Sequence, residues 1–142
     1  ECVEFELRKR FCGKQEAFVN FSNFHQHEGS APDLLAPGVP KNRLNAGFLF
    51  RFRPWDVTLW GTLTSRQPRN SADPREPVAG HRMAHMIVRN KGFLGNKGDL
   101  LLRVRNLLDH EYNFVPHYSP GGLSTFPQTG REISAEMIWE LP

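Results

Sequence analysis

Apolar and polar residues alternate along most of this chain with a period of two, not the 3.6 of a helix. Residues 43–53 show it best: Leu44, Ala46, Phe48, Phe50 and Phe52 fall on one side, Arg43, Asn45, Gly47, Arg51 and Arg53 on the other, with Leu49 out of pattern. Near the start, Val3, Phe5, Leu7 and Phe11 alternate with Glu4, Glu6, Arg8 and Arg10. Near the end, Ile133, Ala135, Met137, Trp139 and Leu141 alternate with Glu132, Ser134, Glu136 and Glu140. Residues 16–25, 56–66, 81–93 and 98–109 are each long enough for a further strand, though less strictly patterned. Helical periodicity is almost absent, so the pattern predicts an all-β chain of about seven strands.

Most of these strands reach or exceed the roughly 9–11 residues that cross a bilayer at a tilt. Strands of ordinary globular proteins centre on about 5–6 residues, so the length needs a reason. The connections supply one. Residues 11–15, 53–56 and 94–98 are tight turns, with Gly13, Pro54, Gly95 and Asn96 where unusual backbone angles are wanted. Residues 26–42, 67–80 and 113–130 are long connections rich in Pro, Gly, Ser and charge. Short and long in strict turn predicts an antiparallel up-and-down meander that is part of a transmembrane β-barrel, with turns on one side of the membrane and loops on the other. The Phe-rich face of 43–53 then meets lipid and the Arg-bearing face lines a wet interior, while Trp55 and Trp139 near strand ends sit where aromatic girdles form. No internal repeat beyond this hairpin rhythm and no domain boundary divides residues 1–142.

Composition removes several function classes. The 142 residues carry 18 Lys and Arg against 15 Asp and Glu, a net charge of +3 with His neutral, and 39% hydrophobic residues. That is too apolar for a disordered chain, and the dispersed positive charge leaves no footprint for nucleic acid. No run approaches the roughly 18 apolar residues of a membrane-spanning helix. Cys2 and Cys12 are the only cysteines, which excludes a disulfide scaffold and a multi-cysteine zinc module. On one strand they would lie roughly 33 Å apart at about 3.3 Å per residue, beyond disulfide reach. The sequence opens on Glu1, with no secretion-signal pattern, and reads as a processed chain or a fragment.

The stretch Leu102-Arg103-Val104-Arg105-Asn106-Leu107-Leu108-Asp109-His110-Glu111-Tyr112 resembles the penultimate strand of TonB-dependent outer-membrane receptors. In that family an alternating strand runs into Asn-Leu, a hydrophobic residue, Asp and, a few positions on, Tyr; a Gly-Arg pair then opens the last strand, as Gly130-Arg131 does here. Upstream, Val39-Pro40-Lys41-Asn42-Arg43-Leu44-Asn45-Ala46-Gly47 resembles the segment that re-enters the barrel after a loop, and residues 58–66 take the place of the ascending strand that follows. Order and spacing agree across nearly the whole chain.

The resemblance implies the C-terminal portion of a plugged barrel of about 22 strands, without the plug or the N-terminal segment that meets the energising TonB complex. It implies a Gram-negative outer-membrane location, membrane lipid and the barrel-assembly machinery as partners, and energised uptake of a scarce small-molecule ligand such as siderophore-bound iron, cobalamin or a glycan. It implies no enzymatic activity and no cofactor. Seven strands leave two open edges whose unsatisfied backbone groups cost several kcal/mol each in hydrocarbon, so transport belongs to the parent barrel. The chain ends Trp139-Glu140-Leu141-Pro142, whereas the family closes on an aromatic residue that the assembly machinery recognises. Asn106, Leu107, Asp109, Tyr112, Gly130 and Arg131 carry the resemblance and are expected to be structural, setting the top of one strand and the start of the next.

Arg66, Arg69 and Arg75 in one long loop, with His117 and Tyr118 in another, offer cationic and aromatic groups to an anionic ligand such as a metal chelate. Ordinary solvated loop chemistry is the competing reading. His25 and His27 share a strand face, with only Glu28 near as a third ligand, and His81 and His85 lie among Arg82 and Arg89. Gly92, Gly95 and Gly98 lack the Lys-Ser/Thr ending and the helix of a phosphate loop, and predict a hairpin turn. Asn20-Phe21-Ser22 matches a glycosylation acceptor but lies inside a strand. Ser124, His117 and Asp109 have no strand-to-helix elbow to present a nucleophile. No metal site and no catalytic residue is assigned. A second expectation, from a different class, is an autonomous soluble β-sheet module that binds a ligand or partner. A small self-contained barrel conflicts with the odd strand count.

Overall fold

The structure, a computed structural model, describes residues 2–24, 38–69, 73–116 and 122–139. In chain order the strands are β1 (Cys2–Arg10), β2 (Glu16–Phe24), β3 (Asn42–Phe52), β4 (Trp55–Thr64), β5 (His81–Gly92), β6 (Gly98–Arg105), β7 (Asn113–Phe114), β8 (Phe126–Pro127) and β9 (Glu132–Trp139). Seven of them form one antiparallel sheet in the order β1-β2-β3-β4-β5-β6-β9, and β7 pairs with β8 in a small ribbon. The chain is an all-β antiparallel meander, as its alternation predicts, with β1 and β9 at the two edges of the sheet.

The three short turns gather at one end. Residues 12–14 make a 3-10 turn with Gly13 at φ 82°, a left-handed angle that glycine adopts without strain. Arg53 and Pro54 join β3 to β4, and one helical turn, α1 (Phe93–Asn96), joins β5 to β6. The described parts of the long connections lie at the other end. The strand expected over 98–109 stops at Arg105, because Asn106 takes φ 51° and turns the chain out of the extended region. The β7–β8 ribbon inside the last long connection has no signal in the local alternation, since each of its strands is two residues long.

Cross-strand register carries each strand's alternation across the whole sheet. One row runs Lys9, Ala17, Phe48, Leu59, Met86, Val104, Ile133, apolar but for its lysine at the edge strand, and the row beside it on the same face runs Leu7, Val19, Ala46, Gly61, Ala84. This face also holds Val3, Phe5, Phe50, Leu63, Leu102 and Met137, all of them exposed. Phe11, Phe52, Trp55 and Trp139 gather at its short-turn end, likewise exposed. The opposite face carries the row Arg8, Phe18, Gly47, Trp60, His85. Among the described residues, every ion pair between strands of the sheet lies on that second face. Examples are Arg10–Glu16 at 3.2 Å, Arg103–Glu136 at 3.1 Å and Arg105–Glu132 at 3.2 Å, with Arg89 on Asp99 and Lys91 on Asp56.

A soluble domain of this length buries one face of its sheet under a second layer. Here the buried hydrophobic side chains among the described residues are Val78, Leu101 and Val104. Packing is instead lateral, and at one point tight. A Cβ added to Gly47 would lie 2.6 Å from the Leu59 carbonyl oxygen, 2.6 Å from Trp60 Cβ and 2.9 Å from Phe18 Cζ. Gly47→Ala is therefore expected to part β3 from β4 and cost roughly 1–3 kcal/mol, as overpacking does. Gly61→Ala meets nothing closer than 3.5 Å and is the matched control. Urea unfolding of the two variants side by side checks it, and equal midpoints would refute the close approach.

Candidate functional site

At the loop end of the ion-paired face, three long connections are tied to one another and to the strands. Asn106 is the first knot. Asparagine tolerates the left-handed region better than other non-glycine residues, and its short amide can bond locally. Its Nδ2 donates to the His110 carbonyl at 2.9 Å and its Oδ1 accepts from the His110 amide at 3.0 Å. Its own amide donates to His85 Nδ1 at 3.3 Å, and His85 stacks on Trp60 with centroids 4.9 Å apart. Leu107 N donates to the Ala84 carbonyl, so the chain leaving β6 stays fastened to β5.

Asp109 is the second knot. Its Oδ1 accepts from the Arg131 amide at 2.7 Å, and a Cβ on Gly130 would come within 2.7 Å of the same oxygen. The glycine leaves room for the carboxylate to reach the start of the last strand. Tyr112 stacks against His81 at 4.8 Å and edge-on against Phe114 at 5.6 Å, and its carbonyl accepts from Gln128 N. Asn106 and Leu107 thus fix the turn that leaves β6, Asp109, Gly130 and Arg131 meet at the start of β9, and Tyr112 packs on His81 instead.

Gln67 is the hub. It is 1% exposed; its backbone pairs with Val78 in both directions and its Nε2 donates to the Asn113 carbonyl at 3.4 Å. Gly38 lies against the same side chain: its amide donates to the Pro68 carbonyl, and a Cβ there would sit 3.9 Å from Gln67 Oε1. Between these loops and the sheet opens a cavity of about 430 Å³, lined among others by Gln67, His81, Met83, Tyr112, Phe114 and Thr129. Gln67 Oε1 and His81 Nδ1 are buried without a hydrogen-bond partner among the described residues. So is Asn20 Oδ1, which also belongs to the ion-paired face.

Arg69 and Arg75 are committed to an internal carboxylate and to the neighbouring loop. Arg75 Nε and Nη2 grip the two oxygens of Asp73 at 2.7 Å each, and Arg69 Nη1 reaches Asp73 Oδ2 at 3.4 Å. Arg69 also donates to the Glu76 and Ser124 carbonyls at 2.6 Å, and Arg75 to the Leu123 carbonyl at 2.9 Å. Arg66 is exposed at the head of the same loop. His117 and Tyr118 lie outside the described residues, as do His25, His27 and Glu28. Asp73, Gln67 and the His85–Trp60 stack escaped sequence reading, because each takes its meaning from partners distant in the chain.

The Arg75 guanidinium beside Asp73 is the main cause that holds its carboxyl at about 2, below the usual 3.8. A depressed carboxylate contributes stability above its unfolded pKa and loses it as pH falls through the folded one. The clamp is therefore expected to be intact above about pH 4 and to release on the way to pH 2. Nitroxides at Glu76 and Ser124, in a chain with Cys2 and Cys12 replaced by Ser, should give a narrow distance distribution at pH 7 that broadens over that window. Asp73→Asn should be broad throughout; a narrow distribution in that variant refutes the clamp.

The remaining motifs resolve into structure. Gly92 and Gly95 take left-handed angles at the α1 turn. Asp109 holds Arg131, and the Ser124 carbonyl holds Arg69. Among the described residues no cluster of His, Cys, Asp and Glu is arranged to hold a metal ion, and no helix is long and apolar enough to cross a membrane. No protein-family model, curated protein or solved structure matches the chain.

Proposed function

We propose that this chain is a C-terminal wall segment of a TonB-dependent outer-membrane receptor, supplying strands and ligand-facing loops to an importer of a scarce small molecule. The observation that carries the membrane part is a predominantly apolar face that runs through all seven strands, with exposed Phe, Leu, Val, Ile and Met side chains on β1, β3, β4, β6 and β9, interrupted by Lys9 and Arg82 and backed by an ion-paired face. In water that face is costly at roughly 25 cal/mol per Å² of apolar surface; against acyl chains it costs nothing. Its height fits. Leu44 to Phe52 spans eight residue steps, about 26 Å along β3 and about 20 Å after a tilt of 35–45°, near the apolar band of outer-membrane barrels. Phe52, Trp55 and Trp139 at its short-turn margin correspond to an aromatic girdle. The receptor part rests on the resemblance around Asn106 to Tyr112 and Gly130-Arg131. No catalytic or cofactor role enters this reading.

Two measurements test the two parts separately. Nitroxides placed singly at positions 43–51 of the cysteine-free chain in lipid vesicles should alternate, with Leu44, Ala46, Phe48 and Phe50 open to oxygen and Arg43, Asn45 and Arg51 open to a water-soluble nickel chelate. Water exposure at every position, with the chain left in the supernatant, would favour the soluble β-sheet module instead. Translating the source DNA upstream of the Glu1 codon should reveal a plug-like domain and a secretion signal; a start or stop codon immediately upstream would withdraw the transport reading for this product.

A further inference from the structure

We infer that the cavity around Gln67 and His81 is a subsite for a neutral, hydroxyl-rich ring, a saccharide unit, and that the loop arginines 69 and 75 are not its ligands. The inference rests on reading the ion-paired face as the inner wall of a barrel, and it adds the chemical class of the ligand and the residues that meet it.

Four observations carry it. The first is that the cavity holds about 430 Å³, room for one or two sugar rings within the roughly 300–1,000 Å³ of small-molecule pockets. Second, it presents aromatic rings beside polar groups: His81, Tyr112 and Phe114 are mutually stacked or edge-on within 6.1 Å. Such rings offer negative π faces to the weakly positive C–H edge of a pyranose. Third, Gln67 Oε1 and His81 Nδ1 have no partner among the described residues, on side chains that are 1% and 8% exposed. A buried polar atom without a partner is costly, so native sites supply one. A hydroxyl both donates and accepts, and so satisfies the amide oxygen and either tautomer of the imidazole. Both side chains line the cavity.

The fourth observation is electrostatic. Arg105, the cation nearest the last strand, is already paired with Glu132 across the cavity margin at 3.2 Å. Arg69 and Arg75, the cations an anionic chelate would want, are spent on Asp73 and on backbone carbonyls. Arg43 lines the cavity too, so a cation is at hand there; what favours a polyol is that the buried Gln67 Oε1 needs a donor, which a hydroxyl brings and a carboxylate does not.

The methionines make the test. Met83 lines the cavity, while Met86 and Met137 lie on the apolar face. In the full chain reconstituted in detergent micelles with 13C-methyl methionine, glucose, galactose, N-acetylglucosamine and maltotriose are titrated to 50 mM, with citrate as the anionic probe. At least one saccharide should move the Met83 methyl resonance saturably and leave Met86 and Met137 in place. Tyr112→Leu should weaken that response at least tenfold, and Arg69→Ala should leave it within twofold. No saturable Met83 shift with any saccharide, or one with citrate alone, overturns the proposal. A doxyl-labelled fatty acid in the same micelles should broaden Met86 and Met137 but not Met83. If it fails to do so, the inner-wall reading itself has failed, whatever the saccharides do.

Discussion

Phe48→Arg is expected to cut the equilibrium for folding into lipid vesicles by roughly 30- to 1,000-fold. Phe48 lies near the middle of β3 on the apolar face, between Ala17 and Leu59, and is 51% exposed. A cationic side chain at the bilayer midplane of a β-barrel costs about 2–4 kcal/mol, and each 1.4 kcal/mol is a factor of ten. Leu49→Arg is the matched control. Leu49 is one residue away but on the ion-paired face, directly opposite Glu16, which already pairs with Arg8 and Arg10, so a cation there enters a polar, charged setting rather than an apolar one. It should change stability by no more than about 1 kcal/mol. Urea titrations of folding into vesicles of defined thickness give both numbers. If the two variants behave alike, the sheet has no lipid side; if Phe48→Arg is the more soluble and equally stable, the face is one that water covers.

Asn106→Ala should destabilise the loop end by about 2–5 kcal/mol, the largest effect expected of a single polar side chain in this molecule. Two hydrogen bonds to the His110 backbone are lost, each worth about 0.5–1.5 kcal/mol, with the partners left inside a site where Asn106 is 3% exposed. Alanine must also hold φ 51°, at a cost of about 1–2 kcal/mol. Asn106→Gly loses the same bonds without that strain, so the gap between the two variants isolates the backbone contribution. Hydrogen exchange at the amides of Leu107, which donates to Ala84, and of Arg131, which donates to Asp109, should accelerate in both. Unchanged protection would mean that the turn is held by other contacts and that Asn106 is incidental.

The two kinds of prediction differ in how far the chain announced them. The two-sidedness of β3 is written in eleven consecutive residues, because a strand's faces follow from a period of two and from nothing else. The same holds for the short turns, where Gly13, Gly92 and Gly95 mark left-handed angles that need no distant partner. Asn106, Asp109 and Gly130-Arg131 stood out in the sequence as a spaced pattern, but their bonds did not: the link from Asp109 to the Arg131 amide joins residues 22 apart. Arg69 and Arg75 were legible only as loop cations. That they face an internal carboxylate and the carbonyls of residues 122–124 depends on where a second loop lies.

Local pattern therefore determined the all-β class, the strand and turn order, and the sorting of Phe, Leu and Trp from Arg and Glu on opposite faces. Those properties are fixed within a few residues by backbone geometry and the preference of side chains for lipid, water or each other. Only the tertiary structure decided that β6 ends at Asn106, that Gln67 becomes the buried hub of the loops, and that a cavity with unpartnered polar atoms opens beside His81 and Tyr112. The physical reason is range. Asn106 reaches His85, 21 residues back, and Gln67 reaches Asn113 at a separation of 46, and no alternation of neighbours encodes which distant group a buried amide will find.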